Sequence, residues 1–129
     1  MTIDRIEVLK MGVTYVDVVV QRSARAKRAR RVKCLVDSGA SFSVISRSTL
    51  QELRIRPDTK QTFTLADGTQ IEREIGTAYF KLDGREGSSM VIFGERGDAT
   101  LLGVLTLESL GLMLDPLKRE LRKLPLLLV

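Results

Sequence analysis

Two Asp-Gly pairs, Asp67-Gly68 and Asp83-Gly84, cut the middle of the chain into apolar runs too short for ordinary helices. Asp-Gly between such runs is the strongest short-range hairpin signal, because glycine takes the positive φ that tight turns demand. Residues 63–65 read as a short strand entering Ala66-Asp67-Gly68-Thr69, and the exit strand begins at Gln70. Along it the apolar residues change parity, from Ile71 and Ile75 to Ala78, Phe80 and Leu82, which predicts a bulge or bend beside Gly76. Asp83-Gly84 leads into a strand over residues 89–93, and residues 94–98 form a polar loop.

Upstream, residues 3–9 alternate apolar and polar. Residues 13–20 place Val16, Val18 and Val20 on one face, and Val32, Cys34 and Val36 form the inner face of a further strand. Helices are predicted over residues 47–53, with Ser46 as N-cap, and over residues 104–110, closed by Gly111. A turn at Asp115-Pro116 precedes a last strand around residues 120–124. The fold class is therefore all-β with one or two short helices. A chain of 129 residues suits one domain, residues 1–129.

The net charge is +5, yet residues 21–33 (QRSARAKRARRVK) hold seven of the 21 basic residues and no acidic one. The remainder has 14 basic against 16 acidic residues, so the basic character belongs to one segment. That segment reads as a hairpin insertion over about residues 21–31, some eleven residues long, where ~2–5 is usual. A solvated hairpin tip is the plain reading, with an anionic contact through residues 22–33 as its rival. Nucleic acid is not the expected partner, because no aromatic residue interleaves the charges. No apolar run approaches the ~18 residues of a membrane helix, and no basic stretch followed by an apolar block marks a secretory signal. A single cysteine, Cys34, leaves no internal disulfide and suits a reducing, cytoplasmic setting; its expected place is the core.

Histidine is absent. Ser-His-Asp and Cys-His triads and histidine-ligated metals are thereby excluded within one chain, leaving carboxylate or lysine chemistry and no expected cofactor or metal. The sharpest chemical signal is Cys34-Leu35-Val36-Asp37-Ser38-Gly39-Ala40-Ser41, an apolar strand that delivers an aspartate into a tight turn. The strand fixes the Asp37 backbone, Gly39 permits a close turn behind it, and the Ser38 hydroxyl can hold neighbouring backbone. Alone, D-S-G is commonly an ordinary turn, Asp67-Gly68 an exposed hairpin tip, and Leu101-Leu102-Gly103 a buried strand running into a helix.

Taken in order, these motifs resemble the retropepsin-like (retroviral-type) aspartic peptidases. That family shows an apolar run and D-[ST]-G-A, then a stretch like Ser41-Phe42-Ser43-Val44-Ile45, then a flap hairpin matched by Ala66-Asp67-Gly68-Thr69. Two apolar residues and a glycine before a helix follow, matched by Leu101-Leu102-Gly103. The resemblance runs from about residue 13 to 124 and is nearest the small stand-alone prokaryotic members. Ser38 stands where threonine is common, and the basic excursion is longer than the tight hairpin expected there.

The resemblance implies a closed β-barrel or sandwich with a flap hairpin, paired as a C2 homodimer. Asp37, Ser38 and Gly39 would be catalytic, Ala40, Ser41 and residues Ala66 to Thr69 would bind an extended peptide or protein substrate, and Leu101, Leu102 and Gly103 would support the loop. Each chain would supply one Asp37. Two carboxylates about 3 Å apart repel by roughly 5 kcal/mol at an effective dielectric of about 20, so the pair shares one proton, as is general for aspartic-protease dyads. The apolar C-terminal tail would add an interfacial strand. A non-catalytic dimerisation or peptide-binding module on the same fold is the alternative.

Overall fold

A computed structural model describes residues 7–8, 14–115 and 117–125. Among the described residues strands predominate, with two short helices. In order they are β1 (Glu7–Val8), β2 (Thr14–Gln21), β3 (Ala29–Val36) and β4 (Ser43–Ser46), then helix α1 (Arg47–Glu52), β5 (Thr59–Thr64), β6 (Gln70–Leu82), β7 (Arg85–Gly94) and β8 (Leu101–Leu102). Helix α2 (Val104–Ser109), β9 (Leu112–Asp115) and β10 (Glu120–Lys123) complete it. The sheet runs β1-β2-β3-β8-β4-β7-β6-β5, and β2 also pairs with β6, so the six strands from β2 to β6 close into a barrel. Two pairings within it, β3 with β8 and β4 with β7, are parallel.

Alternation builds the inside of this barrel. Val16, Val18 and Val20 of β2, Cys34 and Val36 of β3, and Ala78, Phe80 and Leu82 of β6 all point into one core with Ile45, Phe93, Leu102 and Leu107. Helix α1 starts where the sequence placed it, the Ser46 hydroxyl accepting from the Thr49 backbone N–H at 3.4 Å. Gly111, at φ 71°, follows α2 in the left-handed conformation. Asp83 and Gly84 take φ of 49° and 81°, the two positive values of a two-residue hairpin turn.

Several sequence expectations are corrected. The basic segment is not an eleven-residue excursion. Its second half is strand, because the β2–β3 ladder continues out to Gln21↔Ala29 and only residues 22–28 form the connection. Arg30, Arg31 and Lys33 stand exposed on β3 while the valines of β2 supply the burial, so the ladder needs no apolar residue there. Nor does β6 bulge at Gly76. Its pairing with β7 is unbroken from Ile75↔Ile92 to Leu82↔Arg85. The parity changes because β6 changes neighbours, leaving β5 at Thr59↔Ile75 and entering the barrel there. A Cβ on Gly76 would meet the Arg56 carbonyl oxygen at 2.9 Å. Strand β5 begins at Thr59, four residues before the expected start. Thr59 to Thr62 are exposed along a projecting arm, so no alternation marks them. Of the strand expected over residues 3–9 only Glu7–Val8 is described, paired with β2; Pro116 and residues 126–129 of the apolar tail lie outside the described residues.

Candidate active site

Asp37 follows directly on β3, and two neighbours fix its backbone. Its N–H donates to the Leu102 carbonyl at 3.1 Å, continuing the parallel pairing Leu35↔Leu101 and Val36↔Leu102, and its carbonyl accepts from the Ala40 N–H at 3.2 Å. Its Oδ1 accepts from the Gly39 N–H at 2.8 Å. A Cβ on Gly39 would sit 3.2 Å from that oxygen, so glycine admits the carboxylate to the turn. The Ser38 hydroxyl does not hold the backbone as expected. It is exposed and makes no hydrogen bond among the described residues, because the carboxylate itself already braces the turn.

Helix α2 and the loop cap each other. The first N–H groups of a helix lack internal partners, and Gly103 at the N-cap has no side chain to offer. Ala40 and Ser41 supply backbone carbonyls in its place, accepting from Val104 at 2.8 Å and Leu105 at 3.0 Å. The contact is so close that a Cβ on Gly103 would lie 2.5 Å from the carbonyl carbon and oxygen of Phe42. Beneath it lies a buried hydroxyl cluster that sequence reading passed over. Ser43 Oγ accepts from the Gly103 N–H at 2.9 Å and lies 2.5 Å from Thr106 Oγ1, which is 3.0 Å from Ser89 Oγ. Each residue looks like an ordinary small polar position, and no local pattern joins residues 43, 89 and 106.

The carboxylate stands on the wall of a cavity of about 730 Å³. Phe42, Val44, Phe63, Leu65, Ile71 and Leu101 make it largely apolar, and the β5–β6 hairpin overhangs it. Of the sequence-predicted residues, Asp37, Gly39, Ala40, Ser41, Ala66 and Leu101 meet around this space. Leu102 and Gly103 are buried. Asp67, Gly68 and Thr69 are exposed at the hairpin tip, outside the lining. Gly68 N–H donates to the Leu65 carbonyl at 2.9 Å and Leu65 N–H to the Thr69 carbonyl at 2.7 Å, with Gly68 at φ 87°: a turn closed by a glycine bulge. The Thr69 backbone N–H, 2.9 Å from Asp67 Oδ1, holds that carboxyl below its usual range.

One polar pair closes the cavity. Arg73 on β6 grips Asp98 with Nε at 2.7 Å and Nη2 at 2.8 Å, a bidentate bond between side chains only 17% and 23% exposed. The guanidinium holds the Asp98 carboxyl below its ordinary range. Next to it, Arg47 binds Glu74 and Glu95 at 2.7 and 2.8 Å. Residues 73 and 74 thus tie the root of the hairpin to the loop that delivers β8. Nothing in the sequence links residues 25 positions apart, so this clamp was not foreseen.

The fold and the site define a retropepsin-like aspartic protease. Residues 23–109, two thirds of the chain, match the family described as "gag-polyprotein putative aspartyl protease", and the chain belongs to that family. No curated protein matches it. Among solved structures it is similar to a retropepsin-like aspartic protease from Rickettsia conorii, with a TM-score of 0.56 and 21% identity over 90% of this chain and 84% of that one. The Simian Foamy Virus (mac) protease matches with a TM-score of 0.45 and 20% identity over 67% of this chain and 86% of its own.

Proposed function

We propose that the protein is an aspartic endopeptidase that works as a two-fold homodimer and cuts extended peptides. The observation that carries this reading is the placement of Asp37, braced by backbone on three sides, on the wall of an apolar cavity overhung by a hairpin. The chain holds one such aspartate, so a second copy must bring the other. In the pair, the ionised carboxylate takes a proton from water and the resulting hydroxide adds to the scissile carbonyl carbon. The protonated carboxyl hydrogen-bonds the oxyanion. A proton then passes to the amide nitrogen, the C–N bond breaks, and an acid and an amine leave. The substrate backbone would pair with Ala40 and Ser41 below and with the hairpin above. We place this activity in the cytoplasm, where a lone thiol stays reduced.

Incubation with a peptide library at mildly acidic pH tests the reading. Cleavage by the wild type and none by Asp37→Asn is expected, together with tight binding of a pepstatin-like transition-state mimic. Equal cleavage by both proteins overturns it. Sedimentation at the assay concentration should give twice the chain mass, and an active monomer would refute the shared dyad.

A further inference from the structure

Apart from the cavity, one surface carries more charge than packing requires. Three hollows follow one another in a row, each sharing lining residues with the next. The first, about 350 Å³, lies along residues 27–30 against Glu52 and Leu53. The second, about 430 Å³, is bounded by Arg22, Arg25, Lys27, Arg28 and Arg54. The third, about 440 Å³, shares Arg22 and Arg54 and extends to Arg56 and Asp58. The track thus joins the β2–β3 connection to the segment after α1, two stretches some thirty residues apart in sequence.

Both walls are held in place. The buried Gln21 side chain donates to the carbonyls of Ser23 at 2.8 Å and Ala24 at 3.2 Å. On the other wall, Arg54 sits at φ 61° with its N–H on the Gln51 carbonyl at 2.9 Å. The cations are also uncompensated. Arg47, Arg73 and Arg122 each bind a carboxylate. Arg22, Arg25, Lys27, Arg54 and Arg56 are exposed and have no ion pair among the described residues. Among the described residues, Arg30, bound to Glu52, is the one cation along the track with an ion pair. Clustering like charges costs energy through self-repulsion, and an anion on the track would relieve it.

We propose that this track binds the sugar-phosphate backbone of a nucleic acid, independently of base sequence and of the peptidase reading. Linked hollows suit an extended polyanion better than a single ion. Guanidinium groups match phosphate oxygens in bidentate fashion. Of the apolar residues in the lining, Leu53 and Ile55 are buried and only the small Ala26 and Ala29 reach the surface, so a peptide would find no large side-chain anchor. No aromatic residue lines the track, so bases are not stacked; phosphate contact needs no stacking, and the sequence argument against nucleic acid addressed stacking alone. At about 3.3 Å per residue, the eight residues of β3 put the Ala29 end of the track roughly 25 Å from Asp37.

Fluorescence anisotropy with a 20-base-pair DNA duplex, a single-stranded RNA of equal length and poly-glutamate tests this on the Asp37→Asn chain, so that loss of peptidase activity has no bearing on the result. With four or five phosphates neutralised, duplex affinity should fall on the order of 10²-fold between 50 and 200 mM salt. The triple variant Arg22→Gln, Arg25→Gln, Arg56→Gln should lower the logarithmic salt slope by about 2–3. The matching triple lysine variant should keep that slope and shows that the fold tolerates change at all three positions. Binding of RNA alongside the duplex supports backbone recognition. No binding of either nucleic acid at 50 mM salt, an unchanged slope in the glutamine variant, or preference for poly-glutamate would each overturn the proposal.

Discussion

The N–H of Asp37 and the carbonyl of Leu102, 65 positions apart in sequence, lie 3.1 Å from each other, so the aspartate is held by the strand that feeds helix α2. Anything that displaces Gly103 must therefore displace Asp37. A methyl group at Gly103 would have to occupy space 2.5 Å from the Phe42 backbone, which no rotamer relieves. Gly103→Ala should lower stability by about 2–3 kcal/mol and reduce cleavage more than tenfold, because misplacement of a reacting group by even 1 Å is costly. Urea denaturation and peptide turnover measure the two effects; a variant of wild-type stability would show that loop and helix are not locked together.

The same relationship explains what the sequence could and could not convey. The order D-S-G, Asp-Gly hairpin, Leu-Leu-Gly was legible because each motif is local, written in strand ends and turns. Alternation marked β2, and Asp83-Gly84 marked its turn, for the same reason. Residues 59–62 gave no sign of being strand, since neither face of β5 there is covered and no alternation results. The basic half of β3 was hidden likewise: a ladder is made by backbone, and its partner supplied the burial. The hydroxyl cluster and the Arg73–Asp98 clamp join residues through space and have no local signature at all.

Thr106 is fully buried and bridges Ser43 and Ser89. Replacing it with valine keeps the volume and strands two hydroxyls, one of which also serves the Gly103 N–H. Thr106→Val should cost about 1–3 kcal/mol, and Thr106→Ser, which restores the oxygen, should recover more than half. Thermal melting of both variants decides; a valine variant as stable as the wild type, with serine the weaker of the two, would show that packing and not hydrogen bonding holds this position.

For Asp98, the folded carboxyl titrates below its ordinary value because Arg73 holds the ionised form. A depressed carboxyl contributes stability above its unfolded pKa, about 3.9, and loses that contribution as pH falls through the folded value. The clamp should therefore be intact at the mildly acidic pH of a cleavage assay and fail only below about pH 4. Asp98→Asn should cost about 2 kcal/mol at pH 7 and flatten the acid limb of the stability profile. Denaturation series at pH 7, 5 and 3 test this, and an undiminished acid limb in the variant would assign that limb to other carboxylates.

Cys34 lies in the barrel wall with no accessible surface. Burial, with Asp17 as a second contributor, pushes its thiol up to about 12. The reactive species is the thiolate. At pH 8 about a quarter of an exposed thiol with pKa near 8.5 is ionised, whereas the buried Cys34 thiol is held almost wholly protonated. Labelling by a thiol reagent in the native state should thus be slower than in urea by on the order of 10³-fold, and faster only when β3 parts from its neighbours. Because β3 leads directly into Asp37, labelling rate reports how firmly that strand is held. Rapid labelling without any change in the melting transition would mean that β3 opens locally, and would contradict the rigid placement of Asp37 on which the peptidase reading depends.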